Sequence, residues 1–489
     1  MFAACYGGQF ARFLLASLVV YLVTPTVLCP VPSPQIAFLA PHRHPRLRYV
    51  LKELSADTGY NFRLFTDVEK WTSADAAARI KYGEAAGAGL GREEQSEGYL
   101  TLNLPAHPFL SGTGTTEKDL QVDRDRNGFP QFFSIGARQA GSYDLLACAF
   151  YCLSRYEEYN SPAEDKHGRF PANAAHAEKN GYLHLPVVRH WFKKIATELR
   201  AVFPDIPEPN QAAYYFQPTY DIDMLWAYRH RGLRGQAAGA RDVFMGELAR
   251  AFDRWISKEK DDPYDKIDYL LSLHHWAERS RAGDATFSPT KPQFFWLVAN
   301  ADDHRDPNPY PIPKAQHEVM RSLLDRTVVG LHPSYRSSDQ PELIKEELER
   351  LQAITDKRCE HSRQHFLRFR LPGTYRELHR AGIRHEHTMG YADAIGWRAG
   401  TNQPFYWYDV EREEATYLRL YPFAAMDVTL KNYLELGPEE AYGEIIKLRN
   451  GMLTYGGAFT LLWHNSSFAP LYGWKGWQEI YERLVQELT

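Results

Sequence analysis

Apolar and polar positions along the 489-residue chain change period repeatedly, and the changes mark its elements. A short apolar run at 35–40 reads as a strand, and residues 45–58 follow with helical spacing. Between 60 and 140, short apolar segments alternate with turns rich in Gly, Asp and Asn, a mixed α/β pattern. Residues 143–159 (YDLLACAFYCLSRYEEY) carry apolar positions at helical spacing and end in a charged turn. Residues 186–203 form a second amphipathic helical pattern with Pro at its first turn.

Past the Pro-rich stretch 204–210 the rhythm becomes regular. Strand-like runs at 214–220, 294–300, 327–331 and 458–463 are separated by helical patterns at 241–258, 266–280, 314–325 and 341–355. Alternation of this kind predicts an α/β fold with a parallel sheet or barrel. The expected organisation is a hydrophobic leader at 1–29, an N-terminal α/β domain at 30–210 and a second α/β domain at 211–489. A length of 489 residues accommodates that number of domains at about 150 residues each.

Composition narrows the function classes. A formal net charge of −4 and the lack of a basic run argue against nucleic acid as a partner. Aromatic residues make up 14% of the chain, which suits sugar-stacking clefts but suits a large core better. Cys148 and Cys152 are spaced i, i+4 in a predicted helix and read as packed thiols; no CxxC pattern offers a thiolate zinc site. The apolar run at 13–28 follows Arg12 and contains Pro25. It is shorter than the roughly 20 residues of a membrane span. A cytoplasmic location is expected, with anchoring or export through this run, or a mis-assigned start, as alternatives.

Candidate chemistry gathers at predicted strand ends. Asp221 and Asp223 close the run that begins at Tyr214, and their i, i+2 spacing points both carboxylates to one side. Such a pair can divide labour between proton acceptor and metal ligand; it reads equally as a polar turn with Asp221 capping a helix. His332 follows a strand directly, Arg363 and His365 share one side of an extended segment, and His464 ends the last strand. Each histidine alone is more often structural, but their recurrence at strand ends favours a shared site. Asp302, Asp303 and Asp306 read as a solvated loop, and His385 and His387 as surface residues. Arg398 reads as a ligand for a substrate anion or as half of a salt bridge, and Glu157 and Glu158 as a helix end or as partners of Arg169.

The order of these segments resembles the polysaccharide deacetylase (NodB-like carbohydrate esterase) superfamily. Thr219–Asp223 (TYDID) is similar to the TFDDG motif, FFWLVAN to its TFFV strand, and GLHPSY to the HSxxH segment. RQHFLR falls at the RxPxG arginine, and LLWHN at the last motif, LxH. HPSY, RQHFLR, MGYADAIGWRAGT and LLWHN together resemble a bacterial subgroup with an extra N-terminal domain carrying RYEEY and DxHGRF, matched here at 155–159 and 165–170. The resemblance implies a NodB-like, possibly incomplete β/α barrel and hydrolysis of a carbon–nitrogen bond, as in N-deacetylation of an amino sugar or glycan precursor. It implies Asp221 as general base, His464 as general acid, Arg363 as the residue orienting the aspartate, and Asp223 and His332 as ligands of a divalent metal, zinc first. The implied partner is a carbohydrate or small N-acetylated substrate, with no protein partner evident.

The chain departs from that pattern at two places. Ile222 stands where the motif has Asp, and Arg336 where it has the second metal histidine. Metal binding is therefore expected to be weak, through Asp223 and His332, with His365 expected to face the mouth as a third ligand. Arg336 is expected to point inward or to pair with Asp339. A metal-free small-amide hydrolase and a non-catalytic carbohydrate-binding protein are the alternatives.

Overall fold

A computed structural model describes residues 33–83, 93–96, 99–135, 142–230, 262–281 and 289–489. The predicted leader and the helical pattern at 241–258 lie outside them. Strand β1 (Gln35–Leu39) leads into helix Pro45–Thr58, whose first turn carries Pro45 and is capped by the His44 side chain. Gly59 ends that helix at φ 75°, and a Cβ there would strike the Asn210 side chain. Strands β2 (Asn61–Phe65), β3 (Ala78–Gly83), β4 (Glu93–Ser96) and β5 (Tyr99–Pro105) complete a sheet of order β2-β1-β3-β5-β4. It is parallel except for β4. A small ribbon of β6 (Asp123–Arg124) and β7 (Pro130–Gln131) follows.

The pattern at 143–159 becomes two pieces. Helix Leu145–Ser154 stops at Arg155, which takes φ 53° and so cannot continue it, and a single turn Tyr156–Tyr159 follows. Cys148 and Cys152 are buried free thiols, as their spacing predicts. Helix Val187–Val202 then leads to residues 204–212, an irregular and mostly exposed connection from which Ile206 inserts into the core.

A second, larger sheet begins at β8 (Tyr214–Ile222) and continues with β9 (Gln293–Leu297), β10 (Val328–His332), β11 (His361–Ser362) and β12 (His385–Glu386). It is completed by β13 (Phe405–Asp409), β14 (Glu414–Leu420), β15 (Ala425–Met426) and β16 (Gly457–His464). The order is β13-β14-β12-β11-β10-β9-β8-β16-β15, parallel throughout except for the hairpin strand β13. Edge strands β13 and β15 do not pair with each other, so the ladder is open among the described residues. The β13–β14 hairpin is absent from the sequence expectation, because its aromatic run lacks a short turn signal. Helices such as Ile267–Ser280, Lys314–Leu323 and Glu342–Thr355 fall between the strands where expected.

Central strands covered on both faces need continuous apolar runs, and β9 (QFFWL) and β16 (GAFTLLWH) supply them, every residue but His464 being buried. The hydrophobic core runs without interruption from the first sheet to the second, and Pro34–Thr489 forms one compact unit. Helix Pro45–Thr58 packs on the β13–β14 hairpin, where Arg46 holds Glu413 and the Tyr49 hydroxyl donates to the Tyr406 carbonyl at 2.6 Å.

Candidate active site at the strand ends

Parallel register aligns the site. Along β8 and β16, His464 sits opposite Asp221, and along β8 and β9, Asp221 sits opposite Phe295. Asp221, the next-to-last residue of β8, is 2% exposed; its Oδ1 accepts from Arg363 Nη1 at 2.9 Å. Arg363 is wholly buried, with Nε donating to the His387 carbonyl at 3.0 Å and Nη2 to Thr219 Oγ1 at 2.9 Å. Its guanidinium lies over the Phe295 ring, 4.4 Å from the centroid. The Asp221 carboxylate is thus locked in one orientation, with Oδ2 turned toward His332 Nε2 at 3.7 Å.

Asp223 follows β8 on the same side as Asp221, and three histidines face it. His332 Nε2 lies 3.3 Å and His365 Nε2 3.6 Å from its Oδ1, and His464 Nε2 lies 4.0 Å from its Oδ2. All six residues singled out in the sequence, Asp221, Asp223, His332, Arg363, His365 and His464, therefore lie together at the C-terminal strand ends.

Each imidazole is oriented by its other nitrogen. His332 Nδ1–H donates to the Arg363 carbonyl at 2.6 Å, which turns Nε2 toward Asp223. His365 Nδ1 meets Asp306 Oδ1 at 2.8 Å, and His464 Nδ1 meets Asp427 Oδ1 at 2.8 Å. Asp427 follows the short strand β15 and is fully buried, and its second oxygen accepts from the His464 backbone N–H at 2.7 Å. Sequence reasoning passed over Asp427 although it obeys the same rule, a polar residue at a strand's end. It misread Asp306 as solvated: Asp306 is 4% exposed and also accepts the Tyr335 backbone N–H at 2.9 Å.

These contacts set the charges. Burial alone lowers His464, but the Asp427 carboxylate, with Asp223 and Asp221 behind it, pushes it up to about 10. His365 is likewise lowered by burial and raised more strongly by Asp223 and Asp306, to about 9. Burial would raise the Asp223 carboxyl; the facing His365, then His332 and His464, hold it well below the usual carboxylate range.

The same atoms fit a divalent metal. One donor atom from each of Asp223, His332 and His365 falls within 4.8 Å of the others. His332 Nε2 and Asp223 Oδ1 are buried without a hydrogen-bond partner, a costly state that a cation between them would relieve. One carboxylate and two imidazoles, each imidazole backed by a carbonyl or carboxylate, are the donor set of a catalytic zinc site.

Several expectations need correction. Arg336 neither points into the site nor pairs with Asp339: it is partly exposed, with Nη2 on Gln340 Oε1 at 3.0 Å and Nη1 3.8 Å from Asp302. Asp339 is taken by Arg368 at 2.7 Å. His387 is buried, stacked on Tyr421, while His385 is half-buried. Glu157 and Glu158 do not meet Arg169. Glu158 is held bidentately by Arg398 at 2.9 and 2.7 Å and by Arg155 at 2.7 Å, and Glu157 by Arg155 at 2.8 Å. Arg398 is thus one side of a buried ion pair, in which two guanidinium groups hold the Glu158 carboxyl down against the raising effect of burial.

Residues 36–204 match the profile of a family of unknown function (DUF7033). No curated protein matches the chain. Among solved structures, the chain is similar to a protein of Mycobacterium smegmatis assigned as a polysaccharide deacetylase, at 14% identity and TM-score 0.35, over 58% of this chain and 86% of that one. It is also similar to the polysaccharide deacetylase Bc1974 of Bacillus cereus, at 11% identity and TM-score 0.26, over 56% and 88%. Scores at that level do not establish a shared fold. Among the described residues no helix is long and apolar enough to cross a membrane; the run at 13–28 lies outside them.

Proposed function

We propose that the chain hydrolyses a carbon–nitrogen amide bond, removing an N-acetyl group from an amino sugar or glycan precursor. The observation that carries this reading is a carboxylate and an imidazole facing one another across β8 and β16 beside Asp223, each fixed by a buried partner: Asp221 by Arg363, and His464 by Asp427. Asp221 Oδ2 takes the proton of a water whose oxygen attacks the acyl carbon. The carbon–nitrogen bond breaks, and the departing nitrogen takes the His464 Nε2 proton, giving acetate and a free amine. Holding His464 up to about 10 keeps it protonated at neutral pH, as a general acid must be. Arg363 keeps the Asp221 carboxylate aimed. A zinc ion held by Asp223, His332 and His365 would supply Lewis-acid polarisation of the acyl oxygen.

The test is acetate release from a panel of N-acetylated sugars, before and after chelation. Release abolished by chelator and restored by zinc is expected. Release that survives chelation would shift the reading to a metal-free hydrolase using Asp221, Arg363 and His464. Sugar binding without release would mark a carbohydrate-binding protein.

A further inference from the structure

We propose that the loop 165–170 of the N-terminal segment is a built part of the candidate metal site, clamping the turn that carries His365; this rests on the metal reading above. The turn cannot hold itself. Phe366 and Leu367, the two residues after His365, take φ 59° and φ 54° in succession, a conformation that non-glycine side chains adopt only when their surroundings impose it. Internal hydrogen bonds are short-range, from Leu367 N–H to the Gln364 carbonyl at 2.9 Å and from Arg368 N–H to the His365 carbonyl at 3.2 Å.

Before the reversal the turn is tied to its neighbours, His365 N–H to the Pro333 carbonyl at 3.1 Å and Gln364 N–H to Thr388 Oγ1 at 3.0 Å; at the reversal the restraint comes from the N-terminal segment. Arg169 Nη1 donates to the Phe366 carbonyl at 2.8 Å, at the strained residue itself. The rest of its guanidinium is committed to Asp165 Oδ2, 2.7 Å from Nε, and to the Tyr433 hydroxyl, 2.9 Å from Nη2. Arg368 returns the contact, with Nε on the His167 carbonyl at 2.6 Å and Nη1 on the Tyr335 carbonyl at 2.8 Å. The Phe366 ring is caught between His167 and Tyr335, each centroid 5.1 Å away, and His167 Nδ1 pairs with the Tyr335 hydroxyl at 3.1 Å. Asp165 shapes the loop by accepting the His167 and Arg169 backbone N–H groups at 2.8 and 3.0 Å.

The consequence for the site is geometric. His365 Nε2 faces Asp223 from the residue just before the reversal at Phe366; its backbone N–H donates to the Pro333 carbonyl at 3.1 Å and Asp306 fixes the rotation of its ring, while the loop 165–170 holds the reversal that follows. With Arg336 in place of a histidine, His365 completes the donor set, so the N-terminal segment acts on the site through a ligand it does not itself provide. Arg169 and His167 are positioning residues.

Arg169→Ala, His167→Ala and Arg169→Lys in the full chain test this with two readouts. In metal-free protein, amide hydrogen exchange over residues 363–369 is expected to quicken in both alanine variants while residues 328–332 stay protected. Cobalt(II) titration is expected to show affinity reduced about 10–100-fold, the range for losing outer-shell support of a ligand, with altered d–d absorption, and Arg169→Lys should recover part of both effects. His167→Ala carries the test if Arg169→Ala does not fold. Unchanged exchange overturns the clamp, as does quickened exchange with wild-type cobalt affinity and spectrum. Wild-type protein that binds no cobalt refutes the metal reading instead; exchange then decides the clamp alone, quickening supporting it and no change overturning it.

Discussion

Replacing Asp427 by Asn removes a charge from the fully buried carboxylate against His464 while keeping its shape and one acceptor. In the unfolded chain His464 titrates near 6.5, and in the folded protein near 10. The folded state therefore binds this proton more tightly, and the difference corresponds to about 5 kcal/mol of charge-dependent stabilisation. That stabilisation is complete below pH 6.5 and is lost as pH rises through 10. Asp427 is the foremost raising influence, but Asp223 and Asp221 remain in the variant, so we expect a loss of about 2–3 kcal/mol below neutral pH. The gap between wild type and Asp427→Asn should narrow toward pH 10, where the wild-type His464 has lost about half of its charge. His365 titrates near 9 in the same window, and comparing the two proteins cancels most of its contribution. Urea midpoints of chelator-treated protein at about pH 6, 8 and 10, with imidazole proton chemical shifts followed in parallel, measure both quantities. An equal loss at every pH, or a wild-type His464 titrating near 6.5, would refute the reasoning.

Other perturbations separate chemistry from architecture. Asp221→Asn should lower acetate release by about 10²–10⁴; because it strips the counter-charge from wholly buried Arg363, it should also destabilise the protein by up to about 3–5 kcal/mol, read from the same urea transitions. His365→Ala should cost zinc affinity by at least the roughly 10–100-fold seen for outer-shell losses, whereas Arg336→His should leave it nearly unchanged because Arg336 faces Asp302 and Gln340; equilibrium dialysis decides, and the opposite order would return the third ligand to position 336. Glu158→Ala leaves Arg155 and Arg398 buried around a missing carboxylate and should destabilise by about 3–5 kcal/mol, checked by denaturation. For the same reason residues 211–489 expressed alone should fail to give a cooperative unfolding transition, and a sharp one would make the second half an independent domain.

Although β2 to β7 and β12 to β15 carried no such bounds, period and end signals in the sequence determined the α/β alternation, the bounds of elements such as Gln35–Leu39, Pro45–Thr58, Val187–Val202 and Ile267–Ser280 to within a residue or two, and the six polar residues of the candidate site. They were legible because strand ends in a parallel sheet are local features: a run of apolar residues stops, and a carboxylate, histidine or arginine follows. The tertiary structure alone decided what those residues touch. Asp306 looks like any acid in an Asp- and Pro-rich loop, yet folding buries it against His365; Asp427 follows a strand of only two residues, too short to register as one. Arg336 stands at the right distance from His332 to suggest a ligand, but the short helical turn Tyr335–Ser338 carries it away to Asp302. The ion pair of Glu158 with Arg398 joins residues 240 positions apart. No local pattern encodes such partners. A buried charge requires a counter-charge, and only the packed chain determines which one arrives.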